Sequence, residues 1–204
     1  MLLKLIKNKF FWISLVVFIS SGLITFSSQT FLYNKMCNGE IYASLHDLIL
    51  DNIPYYNCGW VYDYCIFLAI FLFLGFIVFK KKYNLIPYFL LLIGIFNLIR
   101  GIFIVLTPIG NPPGFAGVSS RFNGFSKYDI GVYPSGHVGS TFLYVLFSNG
   151  IFRWLIFITN LIIVVTLALA RGHYSIDILS GFIFSYAIFC FGEKYLKKYF
   201  MIKE

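Results

Sequence analysis

Two short stretches in the second half of the chain place histidine beside residues that bind anions and move protons. The first is Tyr133-Pro134-Ser135-Gly136-His137-Val138-Gly139-Ser140-Thr141, which reads as the opening of a helix. Proline is tolerated in a first helical turn because its missing N–H costs nothing there. The backbone N–H groups that follow lack helical partners, so such a turn is a natural anion site. Ser135 adds a hydroxyl, Gly136 permits close backbone approach, and His137 supplies a proton donor. The second stretch is Arg171-Gly172-His173-Tyr174-Ser175-Ile176-Asp177. His173 and Asp177 stand four apart and share a face in a helix. An aspartate that accepts the proton of one ring nitrogen fixes the tautomer and makes the other a better nucleophile. Arg171 can pair with phosphate oxygens.

The elements that must position these residues are apolar. Of the 204 residues, 59% are hydrophobic and only 12% charged, against about 25% charged in a soluble domain. Mean hydropathy is +0.82, and it comes from runs near the ~20 residues that span a bilayer. The runs cover about Phe10–Phe26, Val61–Phe79, Leu85–Leu106, Phe152–Ala170 and Tyr174–Phe191, with a more polar helix at about Ser135–Ser148. The first run, although preceded by lysines, exceeds the ~7–15 residues of a signal-peptide core and lacks a small-x-small cleavage site. It reads as a retained span. Residues 33–60 and 107–133 read as loops. The expectation is an all-α integral membrane bundle of six transmembrane helices, with residues 1–204 as a single domain.

A net charge of +8 suggests nucleic-acid binding in a soluble protein. Here the basic residues cluster between the apolar runs as topology anchors beside anionic headgroups, and no nucleic-acid role is expected. With six spans, the side holding both termini collects Lys4, Lys7, Lys9, Lys80–Lys82, Arg153 and the tail lysines. That side is expected to be cytoplasmic. The helix starts at Ser135 and Tyr174 then face the extracytoplasmic side. Two histidines, an arginine and an aspartate at one membrane face are expensive there and point to function.

Other polar residues carry weaker expectations. Arg100, about four turns into the third run, is expected at the site in preference to snorkelling outward. Arg121 and Lys127 lie on a loop, where a solvated role serves equally well. Asp47 and Asp51 share a helical face but are expected away from any headgroup, and His46 reads as a surface residue. No metal-ligand spacing such as C-x-x-C occurs, so neither a structural metal nor a cofactor is called for. A Cys37–Cys58 disulfide stays open, as does a homo-oligomer. The many Phe and Tyr residues read as lipid-facing packing and interface belts.

Pro134-Ser135-Gly136-His137 resembles the second signature of the type-2 phosphatidic acid phosphatase superfamily, and His173-x-x-x-Asp177 resembles its third. The usual first signature, a lysine followed later by Arg-Pro, is absent, and Arg171 lies closer to the histidine than the usual arginine. His173-Tyr174-Ser175-Ile176-Asp177-Ile178 looks like the corresponding stretch of the sphingomyelin-synthase-like branch. The segment Arg100-Gly101-Ile102-Phe103 through Thr107-Pro108 is similar to an upstream motif of that branch. The resemblance implies that His173 attacks phosphorus to form a phosphohistidine, that Asp177 orients it, and that His137 protonates the leaving oxygen. It further implies that Arg171, Ser135 and the N–H groups near Gly136 hold the equatorial oxygens, without metal; the charge of the absent lysine falls to Arg100, Arg121 or Lys127.

The substrate so implied is a membrane lipid phosphate entering from the bilayer. With water as acceptor the chain is a lipid phosphatase; with a lipid alcohol it is a headgroup transferase. A non-enzymatic transporter or scaffold is the remote alternative. Transporters tend to carry repeats and midplane polar groups, and here the polar groups gather at one face.

Overall fold

The computed structural model describes residues 5–115 and 133–202, and within them all regular structure is helical. Six principal helices follow one another: α1 (Lys9–Cys37), α2 (Gly59–Phe79), α3 (Ile86–Leu106), α4 (Gly136–Phe147), α5 (Gly150–Leu169) and α6 (Ser175–Phe191). Five helical stretches are long and apolar enough to cross a membrane: Lys9–Cys37, Gly59–Phe79, Tyr83–Leu106, Gly150–Leu169 and Ser175–Phe200. The expectation of six full spans is corrected at α4. Its 12 residues measure about 18 Å, well short of a hydrocarbon core of roughly 30 Å.

Local chemistry sets the helix ends. Asn8 Oδ1 accepts from Phe10 N at 2.8 Å and caps α1. Pro87 occupies the first turn of α3, where it costs nothing. Ser135 caps α4, its Oγ accepting from Val138 N at 3.3 Å. The first helix extends to Cys37, well past the expected Phe26, because tertiary contacts hold its polar last turns. Leu32 buries against Ile104 and Tyr42, and Lys35 pairs with Glu40 at 2.7 Å just beyond the end.

The helices α1 and α3 pack through small residues. Ser14, Ser21 and Ser28 are buried along α1 at seven-residue spacing, opposite Gly94 and Gly101 of α3. A Cβ at Gly94 would stand 3.1 Å from the Phe18 backbone. Thr25 Oγ1 donates to Asn97 O at 2.8 Å across the same seam. Without a hydrophobic drive between helices in lipid, such close backbone approach and hydrogen bonding supply the attraction.

The short α4 is the hub, with α2, α3, α5 and α6 all packed on it. Aromatics fill the end of the bundle near residue 80: Phe73, Phe76, Tyr88, Phe96 and Phe147 form a buried cluster, and Tyr144 stacks on Phe73 with ring centroids 5.0 Å apart. Toward the other end the core is smaller, built from Tyr62, Cys65, Val138, Ile163, Leu167, Ala170 and Ile178. Small residues there let α6 press on α4. A Cβ at Gly181 would meet Ser135 O at 3.0 Å, and Ser185 Oγ lies 2.8 Å from Gly139 O.

Residues 38–58 fold across this second end. Gly110 N donates to Ala43 O at 3.1 Å and Tyr56 N to Leu169 O at 2.9 Å, while Ser44 Oγ donates to Asn111 O at 2.7 Å. Cys37 and Cys58 are both free, and the Cys58 thiol instead turns to Thr166 O at 3.7 Å.

Candidate active site

The chain leaves α5 through Arg171, which takes a left-handed conformation at φ 57°. This is a helix C-terminal turn, with Arg171 N bonded to Ala168 O and Gly172 N to Leu167 O. Glycine usually fills such a position, and a side chain there costs roughly 1–2 kcal/mol. The compensation lies in its guanidinium: Nη2 donates to Ile53 O at 2.9 Å, and Nη1 donates to Leu50 O. The turn delivers His173 and Tyr174 to the start of α6.

His173 is buried and pairs with Asp177, Nδ1 to Oδ2 at 3.2 Å. The same carboxylate oxygen accepts from Tyr174 N at 2.9 Å. A carboxylate only accepts, so this contact favours the tautomer with the proton on Nδ1. Asp177 Oδ1 is buried without a hydrogen-bond partner, and the Arg100 guanidinium lies within electrostatic reach of the carboxylate.

His137 occupies the first turn of α4, with its ring centroid 5.7 Å from that of His173. On its other side stands Tyr62 of α2, edge-on at 5.3 Å. The amide N–H groups of Gly136 and His137 have no carbonyl one turn back, as at any helix start. Arg100 of α3 crosses beneath them, with Nε donating to Pro134 O at 3.0 Å. A Cβ at Gly136 would stand 3.0 Å from Arg100 Nε and 3.3 Å from Cζ. Glycine is needed there for the guanidinium to pass. Below His137, Thr141 Oγ1 donates to His137 O at 2.8 Å, and Asn160 Nδ2 donates to Val138 O at 3.2 Å and also bonds Thr141 Oγ1.

The structure therefore brings together His137, His173, Asp177, Gly136 and Arg100. It gives two expected phosphate ligands other work. The Ser135 hydroxyl is fully buried as the α4 cap, and the Arg171 guanidinium ties down residues 50–53. Arg121 and Lys127 lie outside the described residues. Among the described residues no group of three or more His, Cys, Asp or Glu is placed to hold a metal ion.

Two acidic residues gain roles that the sequence did not disclose. Asp47 is buried, and its Oδ2 accepts from Ser175 N at 2.6 Å, capping α6 from a distant loop. Its Oδ1 accepts from Ile49 N at 3.0 Å and Leu50 N at 3.1 Å. Burial works against its charge, but the N–H groups of Ser175, Leu50 and Ile49 outweigh that and hold the carboxyl below its ordinary 3.8. Tyr174 completes the lock. Burial raises its phenol above the ordinary range, keeping the O–H as donor to Gly110 O at 3.0 Å while its oxygen accepts from Leu45 N at 2.9 Å. The second acid is Asp63 of α2, whose Oδ1 lies 4.0 Å from His137 Nε2. A carboxylate inside an apolar run was the signal for it.

Residues 134–194 match the family model described as PAP2 superfamily C-terminal. The matched stretch contains both histidine signatures and supports the resemblance to the type-2 phosphatidic acid phosphatase superfamily. No curated protein matches the chain.

Proposed function

We propose that this chain is a membrane-embedded, metal-independent phosphoryl-transfer enzyme acting on a lipid phosphoester. The observation that carries the reading is the pairing of His173, oriented by Asp177 at 3.2 Å, with His137 across 5.7 Å. Both rings can reach one phosphoryl group. His173 Nε2 attacks phosphorus, the N–P bond forms, and the bond to the lipid oxygen breaks. His137 gives its proton to that leaving oxygen. Asp177 accepts the Nδ1–H bond throughout and balances the charge His173 gains. The equatorial oxygens carry the transition-state charge, and the Gly136 and His137 N–H groups with Arg100 are the donors aimed at them. The Ser175 and Tyr174 N–H groups are already bonded to Asp47 and Asp177, so the anion cradle belongs to α4 and not α6.

The second half-reaction returns the phosphoryl group to an acceptor oxygen. Water makes the enzyme a lipid phosphatase. The sequence His173-Tyr174-Ser175-Ile176-Asp177-Ile178 favours the second reading, transfer to a lipid alcohol as in the sphingomyelin-synthase-like branch. Positive residues beside α1, the α2–α3 connection and the tail support a reading with the termini in the cytoplasm and the site on the extracytoplasmic face. The lipid enters laterally from the outer leaflet.

The test is phosphoryl transfer from a labelled lipid phosphate panel by purified protein in detergent with chelator. Wild type should become transiently labelled with acid-labile, base-stable phosphate and turn over, whereas His173→Ala should do neither. Equal silence of both proteins across the panel, or turnover that survives His173→Ala, would sink the proposal.

A further inference from the structure

Residues 48–60, which lead into α2, present an apolar surface that no helix of the bundle covers. Within them only Asp51 carries a charge at neutral pH, and its carboxylate lies 3.6 Å from His46 Nδ1. No Lys or Arg occurs from residue 36 to residue 79, so this stretch offers nothing to a polyanion. Leu50 is buried, whereas Leu48 and Ile49 beside it are 86% and 57% exposed. Tyr55, Tyr56 and Trp60 are exposed as well. A run of outward apolar side chains marks an interaction surface, unlike scattered single hydrophobics that need no explanation.

What meets this surface follows from its depth. The 20 residues of α5 measure about 30 Å, which matches a hydrocarbon core. The last of them, Leu169, therefore stands at the boundary between hydrocarbon and headgroups. The segment is bonded to that level. Tyr56 N donates to Leu169 O at 2.9 Å, and the Cys58 thiol reaches Thr166 O at 3.7 Å. Arg171, just past the helix, donates to Ile53 O at 2.9 Å and to Leu50 O. Asp47 Oδ2 accepts from Ser175 N at 2.6 Å at the start of α6. Residues 47–58 thus lie level with the ends of α5 and α6 and do not stand above them in water. Their apolar surface continues into walls that lipid must cover. Val165 of α5 and Ile176 and Leu179 of α6 are exposed, and exposed Trp60 meets exposed Tyr64 of α2 edge-on at 6.1 Å.

We infer that residues 48–60 are an interfacial anchor seated in the bilayer leaflet at that end of the bundle. Leu48 and Ile49 reach the first acyl carbons, and Tyr55, Tyr56 and Trp60 sit at headgroup level. Rings with one polar edge suit that level. The Asp51–His46 pair stays on the headgroup side. This placement does not depend on the chemistry proposed for the site, but it bears on it. The anchored segment adjoins Asp47 and supplies the carbonyls that Arg171 holds, so the leaflet steadies the turn that carries His173.

The test is the collision behaviour of spin labels in phosphatidylcholine vesicles. All four native cysteines are free, so the background carries Cys58→Ser, Cys65→Ala and Cys190→Ser. Cys37 is labelled in that background, and Leu48→Cys and Ile49→Cys are labelled after Cys37→Ser. Cys37 ends α1, whose 29 residues measure about 43 Å and overrun the hydrocarbon core. Labels at 48 and 49 should collide more with dissolved oxygen, which concentrates in lipid, than with a water-soluble nickel complex. The Cys37 label should show the reverse order. Labels at 48 and 49 that match Cys37 would overturn the inference and leave the surface to a soluble protein partner. Where the substituted background fails to fold, the wild-type chain decides. In nanodiscs whose phosphatidylcholine carries a diazirine at the top of the acyl chain, photolabelling should fall on the peptide covering residues 48–60. Labelling confined to the spans, with that peptide unmodified, would equally overturn it.

Discussion

Asp47 connects residues 38–58 to the start of α6, and replacing it by asparagine tests whether that loop positions His173. In the wild type one carboxylate oxygen serves Ser175 N at 2.6 Å while the other serves Ile49 N and Leu50 N at 3.0 and 3.1 Å. An amide of the same size offers one oxygen and one NH2, so in either orientation an N–H donor faces another donor. Losing one charge-assisted bond of this kind costs about 1.5–3 kcal/mol. Since 1.4 kcal/mol is a factor of ten, the opening equilibrium at Tyr174 and Ser175 should shift about tenfold to a hundredfold. Hydrogen exchange read by mass spectrometry on the peptide spanning residues 172–178 measures that factor directly, and turnover should fall with it. The pH dependence supplies a second reading. The folded carboxyl lies below its ordinary 3.8, so its contribution is fully present above that value and drains away as pH falls through the depressed one. Wild type should therefore hold protection at about pH 5 and lose this contribution only in stronger acid, whereas Asp47→Asn should show the same reduced protection at both. If the variant exchanges at the wild-type rate and turns over normally, the loop is not what holds the start of α6.

Gly139→Ala places a methyl group in overlap with the buried Phe96 ring, whose Cε1 would lie 2.9 Å away. Overpacking of this kind costs about 1–3 kcal/mol. Thermal unfolding in detergent should fall by several degrees, and Phe96→Leu in the same chain should recover most of the loss; no recovery would mean that the α3–α4 contact is not the cause. Arg171→Lys keeps the charge but cannot bond the Leu50 and Ile53 carbonyls together. Proteolysis within residues 44–56 should accelerate while the apparent KM for the lipid phosphate changes less than twofold. A large rise in KM with unchanged proteolysis would instead make Arg171 a phosphate ligand.

The sequence disclosed the residues that gather at the candidate site better than their supports, for physical reasons. Pro134 to His137 and His173 to Asp177 are local patterns at helix starts, so each group was legible, although His173 sits in the turn before α6 and the packing of α6 on α4 brings it to His137. Arg100 was legible because a cation in an apolar run is expensive. Arg171 was not, because a side chain leaving a left-handed turn points where tertiary contacts send it. Ser135 was read as a phosphate ligand, and in the structure its Oγ takes up Val138 N as the cap of α4. The spacing of Asp47 and Asp51 gave no hint of the role of Asp47, since its partner Ser175 is reached only through the folded loop. Asp63 carried the same signal as Arg100, a charge within an apolar stretch, but only the packing of α2 on α4 reveals which histidine it meets. The extension of α1 to Cys37 was hidden by polar residues that read as loop until Leu32 finds Ile104.

The length of α4 ties these observations together. The chain passes from Phe147 into α5 at Gly150 almost directly, so α4 ends and α5 begins at the same level at the end near residue 80. With 12 residues against 20, α4 falls about 12 Å short of α5 at the other end. Its first turn, with His137 and the free N–H groups, therefore lies recessed within the bundle and not at its rim. A recessed anion site needs a cation that reaches it from a neighbouring helix, and Arg100 enters from α3 only because Gly136 leaves room. It also needs the second histidine brought inward from the end of α5, which the left-handed Arg171 turn accomplishes. Residues 38–58 fold across the same end, held by Asp47 on Ser175 N and by Arg171 on the Leu50 and Ile53 carbonyls, so the residues that tie the loop also fix the turn that carries His173.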